Sequence, residues 1–320
     1  MERHPRYSVI VPVYNRPEEI DELLNSLTRQ TRSDFEVIIV EDGSAIPCQD
    51  IVARYSNSLT IQYFFKPNSG PGPSRNFGYA HANGEYLVVF DSDCIIPPQY
   101  FEAVDQALLQ HQWQAWGGPD KAHGDFTPVQ RAMGYTMASF FTTGGIRGGK
   151  KHVGWFQPRS FNMGISREVY QKTQGFTFDR FAEDIEFSIR MKQHGFRVGL
   201  IPEAFVYHKR RTNFGQFFRQ VSNFGKGRVL VGKKYPGEVK LTHWFPTVFM
   251  LGTCAVALLP LVSMPLFSLA VALLAFYLML IFMDSWLKNK SLWVAILSVP
   301  SAVIQLWGYG SGFLKERFKP

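Results

Sequence analysis

The sequence predicts an α/β domain built on a parallel sheet, followed by segments apolar enough for a membrane. Three observations carry this expectation. Short apolar runs alternate with helical patterns over the first hundred residues, as in parallel α/β sheets. Residues 241–283 contain no Asp, Glu, Lys or Arg. Asn15, Asp42, Asp91 and Asp93 each stand where an apolar run ends, which is where open α/β sheets bind ligands.

The elements follow in order. YSVIVPVY (Tyr7–Tyr14) is a buried strand. Residues Pro17–Gln30 open with Pro and acids, and Ile20, Leu23, Leu24 and Leu27 recur at helical spacing. FEVIIV is the next strand, ending at Asp42, Gly43 and Ser44, and TIQYFF is a third. The Gly/Pro-rich NSGPGPSRNFGYAHANGE holds a loop and then a helix. YLVVF then runs straight into Asp91 and Asp93. Beyond Gln112 the alternation loosens, and the Gly-rich Thr142–Gly154 is expected as a long loop. FNMGIS is expected as a strand and EDIEFSIRMKQHG as a helix closed by Gly195. FRVGLIP and AFVYH are two more short strands.

A membrane helix needs about 20 apolar residues, so 241–283 is long enough to cross twice, with a turn between Pro260 and Pro265. Ser291–Phe313 is a third uncharged segment, weakened by Pro300, Gln305, Gly308, Gly310 and Gly312. The net charge of +8 is concentrated before these segments. From His208 to Lys240, nine Lys and Arg residues face one acid, Glu238, a composition suited to anionic lipid headgroups. Phe214, Phe217, Phe218, Val221 and Phe224 recur at helical spacing there, with Arg219, Lys226 and Arg228 between them. That pattern suits a helix in the membrane interface or one packed on a core. No nucleic-acid module accompanies the basic block, so a nucleic-acid partner is not expected. The three scattered cysteines suggest neither a zinc site nor a disulfide framework. The stretch 7–14 is too short and too broken by Pro12 for a signal peptide, so the N-terminal portion is expected in the cytoplasm. Lys288 and Lys290 fit the inside after two crossings; Lys315, Arg317 and Lys319 would lie outside after three.

Three acidic elements carry candidate chemistry. Asp91 and Asp93, on alternate residues after a buried strand, can share a divalent cation with a diphosphate, or form a polar turn in which Asp93 caps a helix starting near Pro97. Asp42 can accept a hydrogen bond from a nucleotide base or stabilise a turn. Glu183, Asp184 and Glu186 lie in the first turn of an expected helix, where the dipole favours acids; Asp184 can also serve as a general base.

The order and spacing of SVIVPVYNRPEEIDELLNSLTRQT, EVIIVEDGS, GPSRNFGYAHANGEYLVVFDSD, FNMGISREVYQKTQGF and FAEDIEFSIRMKQHGFRV resemble the family 2 glycosyltransferases, inverting enzymes with the GT-A fold, from about Tyr7 to Arg228. The resemblance implies that Asp42 holds a nucleotide base, with Pro12 and Asn15 shaping the pocket. It places Arg75 and Asn76 near the diphosphate or donor sugar. It makes Asp91 and Asp93 the D-x-D pair for Mg²⁺ or Mn²⁺ on the donor diphosphate, with His208 as a further metal contact. It makes Asp184 the catalytic base, with Glu183 beside it. Gln216 and Arg219 match a Q-x-x-R-W element of membrane-bound polysaccharide synthases, but Gln220 replaces its Trp.

The expected organisation is a Rossmann-like GT-A domain over 1–212, a basic interfacial helix and linker over 213–240, two or three transmembrane segments over 241–314 and a basic tail over 315–320. The expected activity is transfer of a sugar from a nucleotide-diphosphate donor to a membrane-associated, polyprenyl-linked glycan acceptor in surface polysaccharide synthesis. The expected location is the plasma (inner) membrane, multi-pass, with a cytoplasmic catalytic domain. Two alternatives stay open: a polyprenyl-phosphate glycosyltransferase, whose phosphate nucleophile needs no base, and a non-catalytic nucleotide-sugar-binding scaffold.

Overall fold

The structure, a computed structural model, describes residues 4–121, 126–143, 155–209 and 211–319. These fall into two compact units. The first comprises 4–121 and 155–209; the second comprises 126–143 and 211–319. Residues 126–143, counted with the catalytic domain from sequence, thus group with the C-terminal helices. Most of the expected loop at 142–154 lies outside the described residues.

Four parallel strands open the first unit: β1 (Tyr7–Val13), β2 (Phe35–Asp42), β3 (Ile61–Lys66) and β4 (Tyr86–Phe90). A short β5 (Cys94–Ile95) follows, then β6 (Ala115–Gly117), β7 (Asp120–Lys121), β8 (Asn162–Ser166), β9 (Val198–Leu200) and β10 (Val206–His208). The main sheet has the order β3-β2-β1-β4-β8-β6-β9. It is mixed rather than parallel throughout, because β8 runs antiparallel to both β4 and β6. A second sheet has the order β5-β10-β7.

The apolar alternation of the strands produces two cores. Val9, Val11, Val37, Ile39, Val88 and Phe90 face one side, with Ile20, Leu23 and Leu27 of α1 (Pro17–Leu27) and Val104 of α4 (Tyr100–His111). Ile10, Ile38, Val40, Leu87 and Val89 face the other, with Tyr79 of α3 (Pro71–His81) and Phe187 of α8 (Glu183–Gln193). A period of two puts adjacent residues on opposite faces, so both faces are apolar and both carry helices. The minor helices are α2 (Gln49–Ala53) and α7 (Arg167–Thr173).

The second unit contains α5 (Pro128–Ala138), α6 (Phe140–Thr143), α9 (Phe214–Lys234), α10 (Phe245–Val256), α11 (Met264–Asn289) and α12 (Leu292–Arg317). Helix α5 begins with a capping box between Thr127 and Gln130. Helices α9 and α12 lie side by side with their backbones close. A Cβ on Gly308 would stand 2.5 Å from Val221, and one on Gly312 would stand 2.0 Å from the Ser222 carbonyl oxygen. Met133 and Met137 of α5 pack with Phe217 and Val221 of α9 and with Ile304 of α12.

Among the described residues, two helices, α11 and α12, are long and apolar enough to span a membrane. The division differs from the sequence expectation. The first half of the uncharged run yields a helix of only 12 residues, α10, followed by a 3₁₀ turn at Leu259–Leu261. Ser291–Phe313, with its Pro and glycines, instead supplies the N-cap and most of a continuous 26-residue helix, Leu292–Arg317.

Candidate active site

At the C-terminal ends of β1, β2 and β4 the chain places Asn15, Asp42 and Asp91. Asn15 sits at φ 53°, a left-handed conformation that Asn tolerates. Its side-chain oxygen accepts from the N–H groups of Ala45 (2.7 Å) and Ile46 (3.2 Å), so it pins the loop after β2. Pro12 lies within β1 opposite Val40. The adjacent Glu41, not singled out from sequence, is buried and accepts from Ser44, Tyr63 and the Cys48 N–H.

The Asp42 carboxylate accepts from Lys66 and from the N–H groups of Ser69 and Gly70, both at 2.9 Å. Burial opposes its ionisation, but these hydrogen bonds outweigh it and hold its pKa below the ordinary value. Three donors occupy most of its four lone-pair sites. Asp42 thus shapes the loop between β3 and α3.

Arg75 of α3 is the hub. Its side chain is only 3% exposed, and it donates to Asp91 Oδ1 and to Glu183 Oε1, each at 2.8 Å. Its guanidinium also lies over the Phe176 ring, 5.4 Å from the centroid. Burial works against its charge, but the two acids keep it protonated. Burial pushes the Glu183 carboxyl up; Arg75 works against this and Asp184 adds to it, leaving the pKa raised. Neighbouring Asn76 takes another part. Its amide donates to the Phe176 carbonyl at 2.7 Å and its oxygen accepts from the Phe176 N–H at 2.8 Å, a two-point clasp on the chain before α8.

Glu183 and Asp184 open α8 immediately after Ala182, whose φ of 57° is left-handed. A non-Gly residue there costs of order 1–2 kcal/mol, and such strain gathers at functional sites. Asp184 Oδ1 accepts from the Ile185 N–H at 2.8 Å. Its Oδ2 faces Arg159 at 3.5 Å, a contact loose enough to yield to a ligand. Glu186 is turned inward and paired with Arg190, which also donates to the Thr173 and Gly175 carbonyls.

Asp91 and Asp93 have different surroundings. The side chain of Asp91 is 32% exposed beyond its contact with Arg75. Asp93 is buried between His208, 3.0 Å away, and Arg16. Burial opposes its ionisation, but His208 and Arg16 prevail and hold it well below the usual carboxylate range. The small sheet builds this contact: His208 of β10 pairs with Cys94 of β5, and the Lys209 N–H donates to the Asp93 carbonyl. Asp93 does not cap a helix near Pro97; α4 starts at Tyr100.

Among the described residues, ligand atoms of Asp93, Cys94 and His208 lie within 4.8 Å of one another. A carboxylate oxygen and an imidazole nitrogen, with half-buried Asp91 two residues away, fit a divalent cation. Cys94 is the poorest donor of the three, since its thiol is directed at the Phe161 carbonyl.

The site joins Asp91, Arg75, Glu183 and Asp184 in one chain of contacts, and Asp93 with His208 in another. Gln216 and Arg219 lie in the second unit. There Gln216 closes the N-cap of α9 with Asn213 and Thr212, and Arg219 is exposed. Sequence reasoning missed Arg16 and Arg159. Arg16 directly follows Asn15 in the same strand-end loop, and Arg159 lies three residues before β8; their positions were the available signal.

The mixed α/β sheet, with acids and cations gathered beyond its strand ends, has the GT-A fold. The chain belongs to glycosyl transferase family 2, whose model matches residues 8–173, just over half of its length. It is 28% identical to the uncharacterized glycosyltransferase EpsJ of Bacillus subtilis over 65% of this chain and 62% of that protein. It is 27% identical to validoxylamine A glucosyltransferase of Streptomyces hygroscopicus over 62% of this chain and 54% of that one. The chain spans from 13% to 62% of the length of these and other curated relatives. Among solved structures, the mannosyltransferase PcManGT of Pyrobaculum calidifontis, in complex with GDP-Man and Mn²⁺, aligns with a TM-score of 0.66 at 19% identity, covering 96% of this chain and 88% of that one. Staphylococcus aureus TarS aligns at 0.51 and 21% identity, over 77% of this chain and 42% of that one.

Proposed function

We propose that this glycosyltransferase inverts the anomeric centre as it moves a sugar from a nucleotide-diphosphate donor to a membrane-associated glycan acceptor, polyprenyl-linked, at the cytoplasmic face of the plasma membrane in surface polysaccharide synthesis. The observation that carries the chemical part is Arg75 clamped between Asp91 and Glu183, because it ties the donor end of the site to the acid pair on α8. The acceptor reading rests on the basic α9 and the apolar helices after it.

Asp91, Asp93 and His208 would hold a divalent ion, Mg²⁺ or Mn²⁺, which when bound supplies charge neutralisation for the leaving diphosphate. PcManGT, solved with Mn²⁺, supports this reading. Arg75 holds Asp91 in place and fixes Glu183 beside the base. Asp184 accepts the proton of the acceptor hydroxyl. The hydroxyl oxygen bonds to the anomeric carbon from the face opposite the donor phosphate. The bond from that carbon to the phosphate oxygen breaks, and its electron pair leaves with the nucleoside diphosphate. Asn15 and Asp42 shape the nucleotide pocket by fixing the loops after β2 and β3.

The test is nucleoside-diphosphate release by detergent-purified protein from UDP-, GDP- and dTDP-sugars, with Mn²⁺ or EDTA and a membrane-lipid extract. Release from one donor that needs metal, lipid, Asp91 and Asp184 supports the reading. Full release by Asp184→Asn would instead indicate a phosphate nucleophile on a polyprenyl carrier. Donor binding without release under every condition would indicate a scaffold.

A further inference from the structure

We propose that residues 245–283 form a helical hairpin that enters the bilayer from one face and turns back inside the hydrocarbon, and that α12 lies on that same face without crossing. This rests on the membrane reading above but not on the transfer chemistry.

Helix α12 has the length of a span, but its companion does not belong in lipid. Helix α9 runs parallel to it, from Val221 beside Gly308 to Lys233 near Glu316, 3.9 Å apart. The same helix carries Arg219, Lys226, Arg228, Lys233 and Lys234. Drawing α12 through the membrane would draw these cations with it, at a cost of about 2.5–3.5 kcal/mol for each one near the centre. The pair is better accommodated in the interface, where basic side chains meet headgroup phosphates.

The hairpin has the opposite character. Leu251, Leu258, Leu261, Val262, Leu269 and Leu273 are each more than half exposed, so its apolar surface is uncovered by protein. Both legs are rooted on α12. Gly310 closely approaches Pro246 at the start of α10, and Ser298 shares a 2.7 Å hydrogen bond with Ser285 of α11. Helix α10, with 12 residues, is about 18 Å long, little more than half the ~30 Å hydrocarbon thickness.

The turn is built for a place without water. Irregular backbone is tolerated in hydrocarbon only when its polar groups are satisfied. The Leu261 and Val262 N–H groups reach back to the carbonyls of Leu258 (3.1 Å) and Leu259 (2.9 Å), and the Ser263 N–H to Leu259 (2.8 Å). The Phe267 N–H bonds the Ser263 carbonyl, and the Ser263 hydroxyl accepts from the Leu266 N–H. Pro260 and Pro265 have no N–H to satisfy. Ser263 is the one polar side chain from Ala257 to Pro265, and its hydroxyl caps α11. This arrangement keeps Lys240, Lys288, Lys290 and the basic residues after 314 on one face, which removes the conflict that three crossings create.

The test uses the full chain with Cys254→Ala; the other two cysteines are buried. Leu261→Cys carries a nitroxide label in vesicles of phosphatidylethanolamine and phosphatidylglycerol, and oxygen and a water-soluble nickel chelate compete as relaxants. The expected label is below the headgroups, with oxygen access several-fold above chelate access. Lys290→Cys and Lys319→Cys are expected to react with an impermeant maleimide from the same face. A chelate-accessible tip on vesicle-bound protein overturns the re-entrant turn, and labelling of 290 and 319 from opposite faces overturns the placement of α12. Protein that does not sediment with the vesicles overturns the membrane reading itself.

Discussion

Arg75 and Glu183 lie 108 residues apart in the chain and meet in a 2.8 Å ion pair, while the other arm of the same guanidinium holds Asp91. One buried cation therefore sets the positions of two acids contributed by different halves of the first unit.

Removing that cation leaves two acids without compensation. Arg75→Ala is expected to destabilise the first unit by about 3–5 kcal/mol and to abolish nucleoside-diphosphate release. Arg75→Lys keeps the charge but lacks the planar fork that reaches both carboxylates, so it is expected to restore stability in part and turnover poorly. Urea unfolding of the two variants, compared with their release rates, checks both statements.

On the proposed metal reading, a divalent ion would compete with Arg16 for Asp93. Arg16→Ala is therefore expected to bind Mn²⁺ several-fold more tightly than the parent chain when no nucleotide is present. His208→Ala is expected to bind it at least tenfold more weakly. Mn²⁺ titration followed by electron paramagnetic resonance reads both; weaker binding by Arg16→Ala would show that Arg16 supports the site rather than competing for it.

Asp42 gives a dependence on pH with a definite sign. Its folded pKa is depressed by Lys66, Ser69 and Gly70, against the opposing effect of burial. Its contribution is therefore complete above the ordinary Asp value of about 3.9 and is lost as the pH falls through the depressed value. Asp42→Asn is expected to lower the unfolding midpoint at pH 7, and the gap from the parent should shrink toward pH 3. A gap that widens in acid would contradict the assignment.

The clasp at Asn76 can be broken from its partner's side. A Cβ on Gly175 would stand 2.1 Å from Asn76 Oδ1, and φ there is +75°. Gly175→Ala is expected to lower stability by about 1–3 kcal/mol and to reduce turnover by loosening the chain before α8. Asn76→Ala should have a comparable effect, and the double variant should cost less than the sum, because both act on one contact. Thermal unfolding of the three variants gives the comparison.

The parts legible in sequence were those governed by local pattern. Strands such as Val9–Val13 and Leu87–Phe90 announce themselves by continuous apolar character, and the acids after them follow from the same reading. The order of the short motifs brought Asp91, Asp93, Asp184 and His208 forward as candidates. What a local pattern does not encode is reach. Arg16 and Arg159 act through long side chains on acids that are 77 and 25 residues away. The reversed direction of β8 and the grouping of 126–143 with the C-terminal helices are likewise choices among distant partners. Asn76, placed near the donor by resemblance, is in the structure engaged with Phe176 by contacts that no spacing shows.

Among the described residues, helix α12 touches α5, α6, α9, α10 and α11, and it is the last of these to be synthesised. Until it emerges, Phe217 and Val221 on α9 and Met133 on α5 lack Ile304 in the cluster that encloses them. The second unit is thus an assembly closed by its final piece, so each nascent chain passes through an interval in which the five described helices before it wait, apolar faces open, for a sixth. A ribosome that stalls near residue 290 would release a molecule whose first unit has every one of its described strands and whose second unit lacks the helix its others pack on.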